Sequence, residues 1–119
     1  MKISKQNAAH YIWGAQCDGW HLVQNEGLSI IHERMPAGTA EIRHYHSASR
    51  QFFFILSGVA CMELDGVEYT LEPHEGLEIP PGVPHQMQNT SANEVEFLVI
   101  SLPSTRGDRI ELTDTSEIN

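Results

Sequence analysis

Positive charge is scarce in this chain. Seven lysines and arginines stand against sixteen aspartates and glutamates, a formal net charge of −9. That balance excludes the basic face that nucleic acid or an anionic membrane requires, and it leaves a small molecule as the expected ligand. Cysteine is scarce too. Cys17 and Cys61 are the two present, neither in a CxxC, so no disulfide framework is implied. Cys61 lies in the run Val59-Ala60-Cys61-Met62 and reads as a reduced core residue. Long apolar runs are missing. Phe52 to Leu56 is among the longest and is far too short to span a bilayer. The opening Met1 to Asn7 has no apolar h-region and no cleavage site, so no signal peptide is read and a cytoplasmic location is expected. There is no GxGxxG or Walker loop, and no Ser-His-Asp or Cys-His arrangement is apparent.

Sustained helical periodicity is also absent. Ser4 to Ala9 suggests one helical turn, and from there the chain reads strand, turn, strand. The expected strands are Trp20–Gln24, Leu28–Met35, Glu41–His46, Gln51–Leu56, Val59–Leu64, Val67–Leu71, Leu77–Ile79, His85–Asn89 and Val95–Leu102, with an edge at Arg109–Leu112. Asp65-Gly66 is a hairpin signal between two of them. Short strands with turns every eight to twelve residues predict a sandwich or barrel. A length of 119 residues suits one domain: an arm with strands over 1–27, a barrel over 28–112 and a tail over 113–119. Phe52 to Leu56 is apolar on both faces, so the outer face needs a cover. A homodimer is the expectation, with Tyr11, Trp13 and Trp20 packing on a partner or capping the barrel mouth.

His44 and His46 are one residue apart, which on a strand puts both imidazoles on one face together with Ile42. Gln51 opens the next strand after a short loop, and His85 follows the rigid turn Pro80-Pro81-Gly82-Val83-Pro84. Three histidines that leave a position open are the pattern of a catalytic rather than a closed metal site. Ile42, Phe53, Met62 and Met87 are candidates to line an apolar pocket around the ion. Glu63 is expected to face away, and Asp108 with Arg109 reads as an ion-paired turn without function.

These residues carry a family resemblance. Gly38, five residues, His44, one, His46, four, Gln51, six, then Gly58 is similar to the first cupin motif. Pro80, one residue, Gly82, two, His85, three, then Asn89 is similar to the second. The resemblance covers about residues 35 to 102 and implies an all-β fold, a double-stranded β-helix barrel of jelly-roll type. It also implies a divalent metal in the barrel mouth and, often, a dimer. Two positions depart from the family pattern. Gln51 stands where Glu is usual, as a weaker and uncharged fourth ligand or as a hydrogen-bond partner to bound water or substrate. His74 stands where Gly is usual at a turn, a role that Gly76 could take over. His74 itself reads as a solvent-facing loop residue.

The ligand set His44, His46, His85 and Gln51 allows Zn, Mn, Fe, Ni or Cu. With no anionic ligand the ion keeps its full charge, which favours Lewis-acid work on a carbonyl, sugar-like or carboxylate molecule, such as isomerisation or cyclisation. The alternatives are a sugar-binding module without turnover, a dioxygenase and a metal-free structural barrel.

Overall fold

Residues alternate between apolar and polar along most of this chain, and a pleated backbone turns that alternation into two-sided sheets. The computed structural model describes residues 1–112 and contains eleven strands among them. In chain order they are β1 (Ala9–Trp13), β2 (Cys17–Gln24), β3 (Ser29–Met35), β4 (His44–His46), β5 (Arg50–Ser57), β6 (Ala60–Leu64), β7 (Val67–Leu71), β8 (Gly76–Ile79), β9 (His85–Gln88), β10 (Val95–Leu102) and β11 (Arg109–Glu111). They form two antiparallel sheets, a six-stranded one in the order β1-β2-β3-β10-β5-β8 and a five-stranded one in the order β11-β4-β9-β6-β7. From β3 onward consecutive strands alternate between the sheets, apart from the β6–β7 hairpin, as in a jelly roll.

The inward faces meet in one apolar cluster. It is built from Met35 on β3, Phe53 and Ile55 on β5, Met62 on β6, Met87 on β9, and Val95, Phe97 and Val99 on β10. Gly58 makes the turn between β5 and β6 possible. Its φ is +81°, and a Cβ there would sit 2.4 Å from the Glu94 carbonyl. No helix among the described residues is long and apolar enough to cross a membrane.

Several expectations need correction. The arm carries a strand not expected before Trp20: one turn, closed by the Ala8 amide on the Ser4 carbonyl, leads into β1, which pairs in full register with β2, itself starting at Cys17. The strand expected over Glu41–His46 begins only at His44, because Glu41 is diverted to bond β9. Cys61 points outward from β6 and is half-buried, whereas Cys17 is the cysteine in the core. At the second-motif turn His74 itself takes the left-handed conformation, φ +70°, in place of the usual Gly. Gly76 instead starts β8, and the Phe52 ring occupies the space its Cβ would need. The tail expected over 113–119 lies outside the described residues.

Candidate metal centre

His44 and His46 lie on β4 and His85 on β9, and the two strands pair so that His44 faces His85 across the ladder. Strand parity therefore does what the HxH spacing predicts. All three side chains are buried, with one ring nitrogen from each within 4.8 Å of the others. The prolines before His85 close a turn that docks on β4, the Gly82 amide donating to the His46 carbonyl at 2.7 Å.

Each imidazole is oriented by a bond on its far side. His44 Nδ1–H donates to the Ile42 carbonyl at 2.7 Å, and His85 Nδ1–H to the Val83 carbonyl at 3.0 Å. His46 Nδ1–H donates to Asp108 Oδ1 at 2.8 Å. A carbonyl or carboxylate accepts only, so each proton is fixed on Nδ1 and each Nε2 carries the lone pair, that of His44 facing an Arg109 guanidinium nitrogen at 3.5 Å. Burial pushes His44 down to about 3 and His85 to about 4, and it also lowers His46. All three rings are neutral at pH 7, as metal ligation requires.

Gln51 is buried on the inward face of β5. Its Nε2 donates to Ser101 Oγ at 3.1 Å, and its Oε1 is buried without a partner. His85 Nε2 is likewise buried without one. Orphaned buried acceptors are costly, and a cation in reach of both would satisfy them. The donor set thus fits a divalent metal. Phe53, on the same face of β5, packs edge-on against His85 with ring centroids 6.1 Å apart.

Of the residues expected to line a pocket, Phe53, Met62 and Met87 are buried inside, Met62 and Met87 as direct cross-strand partners. Ile42 does not share the histidines' face: it precedes β4 and is 47% exposed, and its contribution is the carbonyl that holds His44. Its side chain lines a cleft of about 330 Å³ together with Tyr11, Trp13, Glu33, Glu41 and Arg109. Glu63 is turned away, clamped by Arg43 at 2.8 and 3.1 Å, which holds its carboxyl below the usual range. His74 is outside the site, stacked on Phe54.

Asp108 and Arg109 are the residues whose place the sequence hid. They do not pair with each other. Asp108 orients His46 and also takes the Ala48 and Ser49 amides on Oδ2, tying the loop after β4 to the ligand strand. Arg109 pairs with Glu111 at 3.2 Å and brings one terminal guanidinium nitrogen to 3.5 Å from His44 Nε2. Both reach the centre because β11 pairs with β4, Arg109 opposite His46. A second, larger cleft of about 710 Å³ is lined by His21, Ser29, Ile31 and the 24–26 and 104–106 loops, without the three histidines. The smaller cleft's lining also lacks the three histidines and meets the centre through Arg109.

A barrel of this topology with histidines gathered on its inward strands is a cupin. The chain belongs to the Cupin domain family, whose sequence model matches residues 31–101. Protein SchB of Streptomyces halstedii is 31% identical over 74 residues, which are 62% of this chain and 54% of that protein. The polyketide cyclase RemF of Streptomyces resistomycificus superposes with a TM-score of 0.82 at 16% identity, covering 96% of this chain and 87% of its own. A sugar phosphate isomerase of the cupin superfamily from Silicibacter pomeroyi gives 0.77 at 19% identity, covering 87% and 76%. At these identities the structural likeness shows the fold. The chain spans about half the length of the curated relatives it matches, between 40% and 54%.

Proposed function

We propose that this chain binds one divalent metal ion through His44, His46 and His85, with Gln51 as fourth ligand. We infer that it acts on a small, polar, carbonyl-bearing molecule by Lewis-acid chemistry such as isomerisation or cyclisation. The observation that carries the reading is the convergence of three neutral imidazoles, each with its proton fixed outward, together with the buried Gln51 Oε1, which like His85 Nε2 lacks a partner. A ligand set without a carboxylate leaves the full charge on the ion, so when bound it polarises a carbonyl oxygen. Asp108 holds His46 in the ligating tautomer, and Arg109 brings a guanidinium nitrogen to 3.5 Å from His44 Nε2. A cyclase and a sugar phosphate isomerase among the structural relatives support the choice of chemistry. The outer face of the six-stranded sheet, with Phe52 38% exposed and stacked on Phe54, supports a homodimer.

The test is metal content by plasma mass spectrometry on tag-free protein beside His85→Ala. Near-stoichiometric metal in the parent and its loss in the variant is the expected result. Equal, negligible metal in both after reconstitution with zinc or manganese overturns the reading and leaves a binding or structural barrel.

A further inference from the structure

We propose that Glu33 moves protons to and from the substrate in the cleft beside the histidines, with Tyr11 positioning its carboxyl. This rests on the metal-enzyme reading above and supplies the acid–base group that the cupin motifs of this chain lack.

The cleft is built around Glu33. On β3 the inward positions run Ser29, Ile31, Glu33, Met35, so parity turns this carboxylate toward the interior, opposite Phe97 of β10. The Tyr11 hydroxyl donates to Glu33 Oε2 at 2.9 Å. Tyr11 reaches it by crossing β2 at Gly19, where any Cβ would fall 2.2 Å from the ring. A glycine on β2 thus makes room for a tyrosine on β1 that holds a glutamate on β3. Glu33 Oε1 takes no hydrogen bond among the described residues, and Glu33 lines the cleft. Arg109 lines the cleft and brings a guanidinium nitrogen to 3.5 Å from His44 Nε2, so it links the cleft to the metal centre.

Two carboxyls share this space, and their surroundings give them different capacities. Glu41 Oε2 is tied to the Met87 amide at 2.8 Å, and burial, with Glu33 nearby, pushes its carboxyl up to about 8. The Met87 bond ties Glu41 to β9. Burial raises Glu33 to about 7, against the opposing pull of the Tyr11 hydrogen bond and of Arg109. The groups facing it are Tyr11 from β1, Cys17 from β2, Glu41 from the segment before β4, and Arg109 from β11. A carboxyl poised near the working pH can both take and return a proton.

In the proposed reaction Glu33 as carboxylate removes a proton from a carbon beside a carbonyl. The C–H bond breaks, its electron pair becomes the C=C of an enolate with the charge on the former carbonyl oxygen, and an O–H bond forms on Glu33. Where the deprotonated carbon carries a hydroxyl, its O–H proton passes to the former carbonyl oxygen, and return of the Glu33 proton to the former carbonyl carbon gives the isomeric carbonyl. Attack of the enolate carbon on a second carbonyl closes a ring, and Glu33 then protonates the new alkoxide.

The experiment uses the zinc-loaded full chain, with dihydroxyacetone and acetylacetone as probes in D₂O. Deuterium entry at carbon is followed by proton NMR across pH, and zinc content is measured on every sample. The expected result is exchange that rises with a midpoint near 7, falls by about a hundredfold or more in Glu33→Gln and is partly restored in Glu33→Asp. Tyr11→Phe shifts the midpoint upward, because a bond that favours the charged form is lost. Carbon-13 NMR of glutamate-labelled protein, without probe, is expected to show a carboxyl titrating near 7 that vanishes in Glu33→Gln. With zinc bound, exchange of neither probe, unchanged exchange in Glu33→Gln, or a Glu33 carboxyl titrating in the ordinary range overturns the proposal alone. A parent chain that takes up no zinc overturns the metal reading and this one with it.

Discussion

Inward positions on β5 run Gln51, Phe53, Ile55, and those on β10 run Ser101, Val99, Phe97, Val95. β3 repeats the gradient from Ser29 to Met35, and β9 passes from His85 to Met87 within one inward step. One interior therefore holds two regions on shared strands, an apolar floor and a polar mouth, equally buried. The floor stabilises the fold through removal of apolar surface from water. At the mouth, burial of imidazoles and an amide costs desolvation, offset in part by the far-side bonds to Ile42, Val83, Asp108 and Ser101. Side-chain parity is identical in the two regions. What differs is whether a buried atom is left needing a partner, as Gln51 Oε1 and His85 Nε2 are at the mouth.

The largest effect expected from breaking this contrast is in the floor. Phe97→Ala deletes a ring that is 1% exposed and packs at 5.9 Å from Phe53, and it should cost ~3–5 kcal/mol in urea unfolding. The protein that remains folded should keep the parent's zinc stoichiometry. The opposite pattern belongs to His85→Ala, with metal lost at a smaller stability cost in the metal-free state. If Phe97→Ala abolished zinc binding while leaving stability intact, the division of labour would be wrong. A lesser effect is expected at the support of the mouth. Asp108→Asn keeps the size of the side chain but removes the charge that holds His46, and zinc affinity should weaken by about 10–100-fold. Competition against a chelator of known affinity measures it, and an unchanged constant would return Asp108 to a purely structural turn.

Much of this contrast is written locally in the chain. The strands Val67–Leu71 and Val95–Leu102 are legible from β-branched and aromatic content between turn residues. The pairing of His44 with His46 follows from period two, and the aim of His85 from the prolines before it. Depth in the barrel is not local, so alternation assigns a face without saying mouth or floor. Ile42 shows the failure at a strand end: its parity held only as far as β4 does. Asp108 and Arg109 sit sixty or so residues from the histidines they touch, and only the long-range pairing of β11 with β4 brings them there. Glu33 did leave a signal, an acidic residue on the inward parity of an otherwise apolar strand face. Its partner Tyr11 lay in a segment read as an arm rather than as β1.

The smallest effect sharpens the comparison because the floor side chains Phe53, Ile55, Met62, Met87 and Phe97 do not titrate. In the chelator-treated protein, His44 and His85 fall from an ordinary 6.5 to about 3 and 4. Below pH 6.5 the unfolded chain then binds more protons than the native one, so these two favour unfolding as pH falls. Glu33 and Glu41 rise from 4.5 to about 7 and 8. Above pH 4.5 the native chain holds protons that the unfolded one has released, so these two lower stability as pH rises, until both have ionised. Between 4.5 and 6.5 the two pairs oppose each other, which leaves a plateau with losses on either side. Paired carboxylates held below their ordinary value, Glu63 and Glu96, add to the acid loss. Urea midpoints measured from pH 4 to 9 should show that plateau. Glu33→Gln should flatten the alkaline limb and His44→Gln the acid one, while Phe97→Ala should lower the whole curve without changing its shape. A floor variant that altered the shape would show that the two regions do not act apart.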